Sequence, residues 1–216
     1  MVPYAGMRIA ILTFEGFNEI DSFVACAILN RMKNAGWKAE IACPAERVTS
    51  MNGVEIRAQR MLEFASEADA VLFGSGVNAR AIASDAAMLG RIHVDPSRQL
   101  VGAQCSGTLL LAKMGLLGGV PACTDSKTKA WVVEAGVRVV DRSFAAHGNV
   151  ATAGGCMSSQ YLAAWVIARL AGFDAAAGAL AYVAPVGEKA AYIEHVLGVV
   201  RGEIGAPPAI HRAGAR

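Results

Sequence analysis

Apolar residues fall in short blocks whose period switches between that of a strand and that of a helix. MRIAILT (7–13) is a compact, branched apolar run and predicts a buried strand. From Asp21 to Ala35 apolar residues return at helical spacing, and Gly36 stops the run. KAEIAC (38–43) alternates and predicts a second strand, and Val48 to Ile56, centred on Asn52-Gly53, predicts a hairpin. ADAVLF (68–73) predicts a third core strand that runs into the turn Gly74-Ser75-Gly76. A helix is expected over 79–92, a core strand from Leu100 to Ala103, a short strand in PACTD (121–125) and a helix over 127–135. Val137 to Val140 and Phe144 to Ala151 predict strands around a turn. Cys156 to Leu170 predicts a strongly apolar helix, and a last helix is expected over 188–201.

Strands alternating with helices, each strand a nearly continuous apolar run, imply a parallel sheet covered on both faces. The expectation is a single α/β domain over 7–204, flavodoxin-like and three-layered with a mostly parallel sheet, and flexible ends at 1–6 and 205–216. In such sheets function gathers at the carboxyl ends of the strands. Three loops are placed there: Phe14 to Asp21, Gly74-Ser75-Gly76 and Gln104-Cys105-Ser106.

Composition narrows the function. At 54% hydrophobic and 18% charged residues, the 216-residue chain can bury a substantial core. No apolar run reaches the ~18 residues of a membrane span, and the start has no secretory-signal pattern. A net charge of +2 gives no case for nucleic acid. Five cysteines (26, 43, 105, 123 and 156) are an odd number without CxxC spacing, and read as free thiols in a reducing cytoplasm. No histidine pair has metal-ligand spacing, so neither metal nor cofactor is expected.

The chemistry-bearing position is Cys105. The strand from Leu100 ends in small residues, and a helical run from Thr108 to Leu117 follows at once. Ala103-Gln104-Cys105-Ser106-Gly107 is a variant of the nucleophile elbow, with Gly107 allowing close packing. A helix amino end beside the sulfur would favour the nucleophilic thiolate. A buried structural cysteine is the plain alternative. Asp21 is either an acid/base partner or the cap of the helix it opens. Cys156 is the one rival thiol and reads as buried packing.

In order, the FEGFNEID loop, FGSG turn, CSGTLLLAKMGLL elbow-helix, AHGN turn and TAGG segment resemble the ThiJ/PfpI superfamily, within the class I glutamine amidotransferase-like fold. The resemblance covers roughly 7–185 and is closest to isocyanide hydratase and its relatives, in which the elbow reads Cys-Thr-Gly. It implies a nucleophile at Cys105, a carboxylate partner at Asp21, and a hydroxyl at Ser106 in place of the hydratase threonine. It also implies oxyanion donors at Ser75, Gly76 and Ser106, with Gly74 standing where relatives carry proline. Glu19 is the fallback acid. Asp125 occupies the place where other branches carry a histidine, and is either a second acid or the start of a helix. Without a histidine after the cysteine, and without any His-x-Glu pair, peptidase and glutaminase activities are disfavoured.

Three functions follow from the resemblance. The first is a cofactor-free enzyme hydrating a small electrophile, an isocyanide to an N-formamide. The second is a redox or electrophile sensor, and the third a binding module without turnover. Relatives are commonly homodimers, and the same is expected here.

Overall fold

The computed structural model describes residues 6–204. The expected flexible ends lie outside the described residues, apart from Gly6. In chain order, β1 (Arg8–Leu12) leads into α1 (Glu19–Leu29), which tightens into a 3₁₀ turn, Asn30–Ala35, before β2 (Lys38–Cys43). The hairpin pairs β3 (Arg47–Thr49) with β4 (Glu55–Arg57), antiparallel, around Asn52-Gly53. A two-residue strand, β5 (Arg60–Met61), and a 3₁₀ turn, Leu62–Ser66, precede β6 (Ala70–Phe73). Then come α2 (Ala79–Ser84), α3 (Ala86–Leu89), β7 (Leu100–Gln104), α4 (Gly107–Lys113) and α5 (Lys129–Glu134). The chain closes with β8 (Phe144–His147), β9 (Val150–Ala153), α6 (Ser159–Ala171), α7 (Phe173–Val183) and α8 (Lys189–Ile204).

Seven strands form one sheet in the order β5-β2-β1-β6-β7-β9-β8, parallel throughout except for the β8–β9 hairpin. Because successive strand side chains point to opposite faces, β1 feeds two separate cores. Ile9 and Ile11 join α1, α6, α7 and α8 on one face, whereas Ala10 and Leu12 join α2, α4 and α5 on the other. This is the three-layer α/β/α arrangement expected from the sequence. Trp165, at the centre of α6, is the largest fully buried side chain in the first core.

Four local expectations are corrected. The helix expected over 79–92 is broken at Asp85, whose carboxylate accepts the Met88 N–H at 3.0 Å and so caps α3 as a separate turn. The segments 121–125 and 137–140 form no strands among the described residues and meet only at an isolated bridge between Ala122 and Val139. Cys156–Ser158 is a 3₁₀ turn, so α6 starts three residues later than its apolar run. Finally, α7 and β5 have no counterpart among the expected elements.

Close approach at the sheet's carboxyl edge depends on Gly107. A Cβ there would lie 2.6 Å from the Phe73 carbonyl oxygen and 2.7 Å from that of Gly74, both backbone atoms that cannot swing aside. Gly107→Ala is therefore expected to cost about 2 kcal/mol or more, read as a lowered denaturation midpoint in urea with an unchanged slope.

Candidate active site

All three loops placed at the strand ends by the sequence meet. Phe17 bridges to Gly76, and the Asn18 N–H donates to the Ser75 carbonyl at 2.9 Å, joining the first loop to the second. The Ser106 hydroxyl accepts the Gly76 N–H at 3.1 Å and lies 3.2 Å from the Gly76 carbonyl, joining the second to the third. Between them opens a crevice of about 380 Å³, whose walls include Asn18, Ser75, Cys105, Asp125, Trp131 and Cys156.

Cys105 is the one non-glycine among the described residues with positive φ, at +46°. Left-handed backbone at a side-chain-bearing residue is costly. It is held by the Cys105 N–H donating to the Ala153 carbonyl and the Thr124 hydroxyl donating to the Cys105 carbonyl, both at 2.8 Å. The strand thus turns sharply into α4 and leaves the sulfur at the crevice wall, although the residue is only 3% exposed.

Asp21, on the first turn of α1, is 2% exposed. One carboxylate oxygen accepts the Ser75 hydroxyl; the other, Oδ1, has no hydrogen-bond partner. Burial raises the carboxyl to about 6, against the opposing hydrogen bond of Ser75. The helix cap is Asn18, whose side-chain oxygen accepts the Ile20 N–H at 3.1 Å, so capping does not explain Asp21.

The thiol differs from expectation. Burial, and then the Asp21 carboxylate, push the Cys105 thiol far above its ordinary value. Both influences oppose the thiolate that a helix amino end would favour.

Cys156 reads as packing in the sequence, yet its sulfur lies in the site. Carboxylate oxygen of Asp21, Sγ of Cys105 and Sγ of Cys156 all fall within 4.8 Å of one another. Among the described residues this is the one such donor set able to hold a metal ion, two sulfurs and an oxygen suiting a soft ion such as zinc. Cys156 Sγ accepts from Asn18 Nδ2 at 3.1 Å, and its thiol too is pushed up, first by burial and then by Asp21. Gln104, which no motif singles out, donates to the Gly155 carbonyl at 2.7 Å and lies 3.5 Å from Cys105 Sγ, linking the two cysteine loops.

A sequence model of the DJ-1/PfpI family matches residues 7–169, three quarters of the chain. The chain belongs to the DJ-1/PfpI family. Solved DJ-1/PfpI structures share its fold at low identity. A ThiJ/PfpI family protein from Pseudomonas syringae has a TM-score of 0.74 at 22% identity, over 93% of this chain and 90% of that one. Drosophila melanogaster DJ-1beta gives 0.71 at 22% identity, over 82% and 97%. Oxidized Toxoplasma gondii DJ-1 gives 0.69 at 20% identity, over 82% and 98%. Among curated proteins none matches this sequence.

Not every residue proposed from the DJ-1/PfpI resemblance lies where that role requires. Glu19 turns to the hairpin, accepting from Ser50 Oγ at 2.5 Å and Asn52 Nδ2 at 2.9 Å. Those bonds lower its carboxyl, Ser50 first, leaving a poor proton donor. The Gly74 N–H is spent on the Leu12 carbonyl at 2.9 Å, and that of Gly76 on Ser106. Asp125 caps its own turn, accepting the Lys127 and Thr128 N–H groups at 2.9 and 3.0 Å, while also walling the crevice.

Proposed function

We propose that the protein is a cysteine-dependent hydratase for small electrophiles, with isocyanides as the substrate class and N-formamides as products. The reading is carried by one observation: a buried carboxyl that titrates near 6 lies within 4.8 Å of the elbow sulfur beside an open crevice. A group with that value exchanges protons efficiently near neutral pH.

In the proposed reaction Asp21 takes the Cys105 proton as the sulfur attacks the terminal carbon of R–N≡C. The proton passes to that carbon, giving the thioimidate R–N=CH–S–Cys105. Asp21 then removes a proton from water, the resulting hydroxide oxygen adds to the same carbon, and Asp21 passes that proton to the nitrogen. Collapse breaks the C–S bond and releases R–NH–CHO, and the proton of the added hydroxyl passes through Asp21 to the thiolate. Bonds to the substrate are made and broken by Cys105, Asp21 and water alone. Negative charge on the added oxygen is met by the N–H groups of Ser75 and Ser106, for which no protein acceptor stands among the described residues. In this reading the Ser106 hydroxyl is a positioning group that fixes Gly76 against the elbow. Asp125 is a wall residue near the entrance.

The test is formamide production from a panel of small alkyl and aryl isocyanides, followed by loss of the isocyanide infrared band. Steady turnover supports the proposal. A full set of unreacted isocyanides, alongside a Cys105 that alkylates with iodoacetamide, would sink it.

The reading extends to a homodimer. Ile20, Phe23, Met157, Tyr182 and Val183 are exposed apolar side chains on α1, α7 and the 156–158 turn, and α1 touches both of the other two. Multi-angle light scattering is expected to give twice the 22.4 kDa chain mass, and a monomer at micromolar concentration would refute the pairing. No helix among the described residues is long and apolar enough to cross a membrane. A reducing cytoplasm, where all five cysteines stay free, fits this chemistry.

A further inference from the structure

The hydration scheme gives Cys156 no task, although its sulfur lies within 4.8 Å of both the Asp21 carboxylate and the Cys105 sulfur. We infer that Cys105 and Cys156 form a reversible redox pair, in which a hydroperoxide closes the crevice as a Cys105–Cys156 disulfide. This inference stands apart from isocyanide turnover and needs the two sulfurs, Asp21 as proton acceptor and an oxidant.

Several observations bring the pair together. Both sulfurs border the same crevice and lie within 4.8 Å of each other. A disulfide needs them about 2.05 Å apart, so a side-chain rotation must supply the difference. Cys156 is suited to this, because it opens a 3₁₀ turn directly after Gly154-Gly155 and is only partly buried. The two backbones are already tied, through the Cys105 N–H on Ala153 and the Gln104 amide on the Gly155 carbonyl. The remaining cysteines offer a contrast. Cys43 and Cys123 are buried, Cys26 is partly buried, and none of the three borders the crevice.

The chemistry balances with a hydroperoxide, ROOH, as oxidant. One sulfur, having passed its proton to Asp21, attacks the terminal peroxide oxygen. The O–O bond breaks, the alkoxide takes the proton held by Asp21 and leaves as ROH, and the sulfur becomes a sulfenic acid, oxidised by two electrons. The second thiol then attacks that sulfur, an S–S bond forms, the S–OH bond breaks, and water leaves. Either order of attack gives the same disulfide. A thiol reductant restores both groups. The pair thereby intercepts the sulfenic acid before a second peroxide converts it to the irreversible sulfinic acid.

The experiment uses the full reduced chain. It is treated with a tenfold excess of hydrogen peroxide, blocked with N-ethylmaleimide under denaturing conditions, and mapped by mass spectrometry. Trypsin leaves Cys105 in peptide 99–113 and Cys156 in peptide 143–169, each the sole cysteine there. The expected result is an intact mass lower by about 2 Da before blocking. Cross-linked 99–113 and 143–169 then appear, three of the five cysteines remain alkylated, and dithiothreitol reverses the change. In Cys156→Ser, Cys105 is expected to gain about 32 Da irreversibly under the same treatment. Three results overturn the inference: wild-type Cys105 gaining that mass with Cys156 still alkylated, a cross-link between other cysteines, or no oxidation of either residue. None of these readouts involves an isocyanide, so failure here leaves the hydratase proposal standing, and failure there leaves this one.

Discussion

Cys105→Ser is expected to abolish formamide production, lowering kcat by at least about 1,000-fold, the scale on which a covalent step is lost. The size follows from the chemistry. A serine hydroxyl at this elbow keeps the side-chain position, but it gives up its proton far less readily than a thiol and is a weaker nucleophile. The nearest base, Asp21, titrates only near 6, which suits a thiol better than an alcohol. Quenched-flow product assays on both proteins check this, with circular dichroism showing that the variant is folded. Residual turnover within tenfold of wild type would show that Cys105 does not form the covalent adduct, and would move the weight to a binding pocket.

Asp21→Asn is expected to pull activity and stability in opposite directions. Without a proton acceptor beside the sulfur, kcat should fall by about 100- to 10,000-fold, the span of general acid–base catalysis. The wild-type rate should rise with pH through about 6, as Asp21 loses its proton, and this limb should be missing from the variant. Stability moves the other way. The carboxyl sits near 3.8 in the unfolded chain and about 6 in the folded one, so the folded state binds the proton more tightly. Its contribution is full below the unfolded value and is lost as pH rises through the folded one. At pH 7.5 the buried charge costs on the order of 3 kcal/mol, since each tenfold gain in proton affinity on folding is worth about 1.36 kcal/mol. The amide avoids that cost and still accepts the Ser75 hydroxyl. Urea denaturation should therefore show the variant more stable than wild type at pH 7.5, with the gain gone at pH 4. Equal stability at both values would mean that Asp21 is not held as a desolvated carboxylate.

The parts legible in the sequence are those with strong local signals. An apolar strand running into small residues and then a helix can do little but turn sharply, and Cys105 at +46° is that turn. The parallel sheet follows from strands whose residues are buried on both faces, as the split of Ile9 and Ile11 from Ala10 and Leu12 shows. Cys156 escapes a sequence reading for a physical reason. A cysteine leading into an apolar helix looks like core, and only the 3₁₀ turn before α6, together with the Asn18 amide 138 residues away, turns the sulfur to the crevice. The capping role open to Asp21 fails because Asn18, three residues earlier, already meets the helix's need. The helix α7 is hidden by alanine, which has high helix propensity but little contrast from position to position, and by Gly178 in its middle. The oxyanion donors divide on a detail outside any motif, since the Ser106 hydroxyl occupies the Gly76 amide.

The left-handed backbone at residue 105 sets a tension between durability and use. At that one position a glycine would adopt the same angles without steric objection, so the chain's own mechanics favour losing the sulfur. A population selected only for heat tolerance would be free to drift there, and would arrive at a sturdier protein with an empty elbow. Keeping cysteine at this corner is a choice the fold does not make for its own sake.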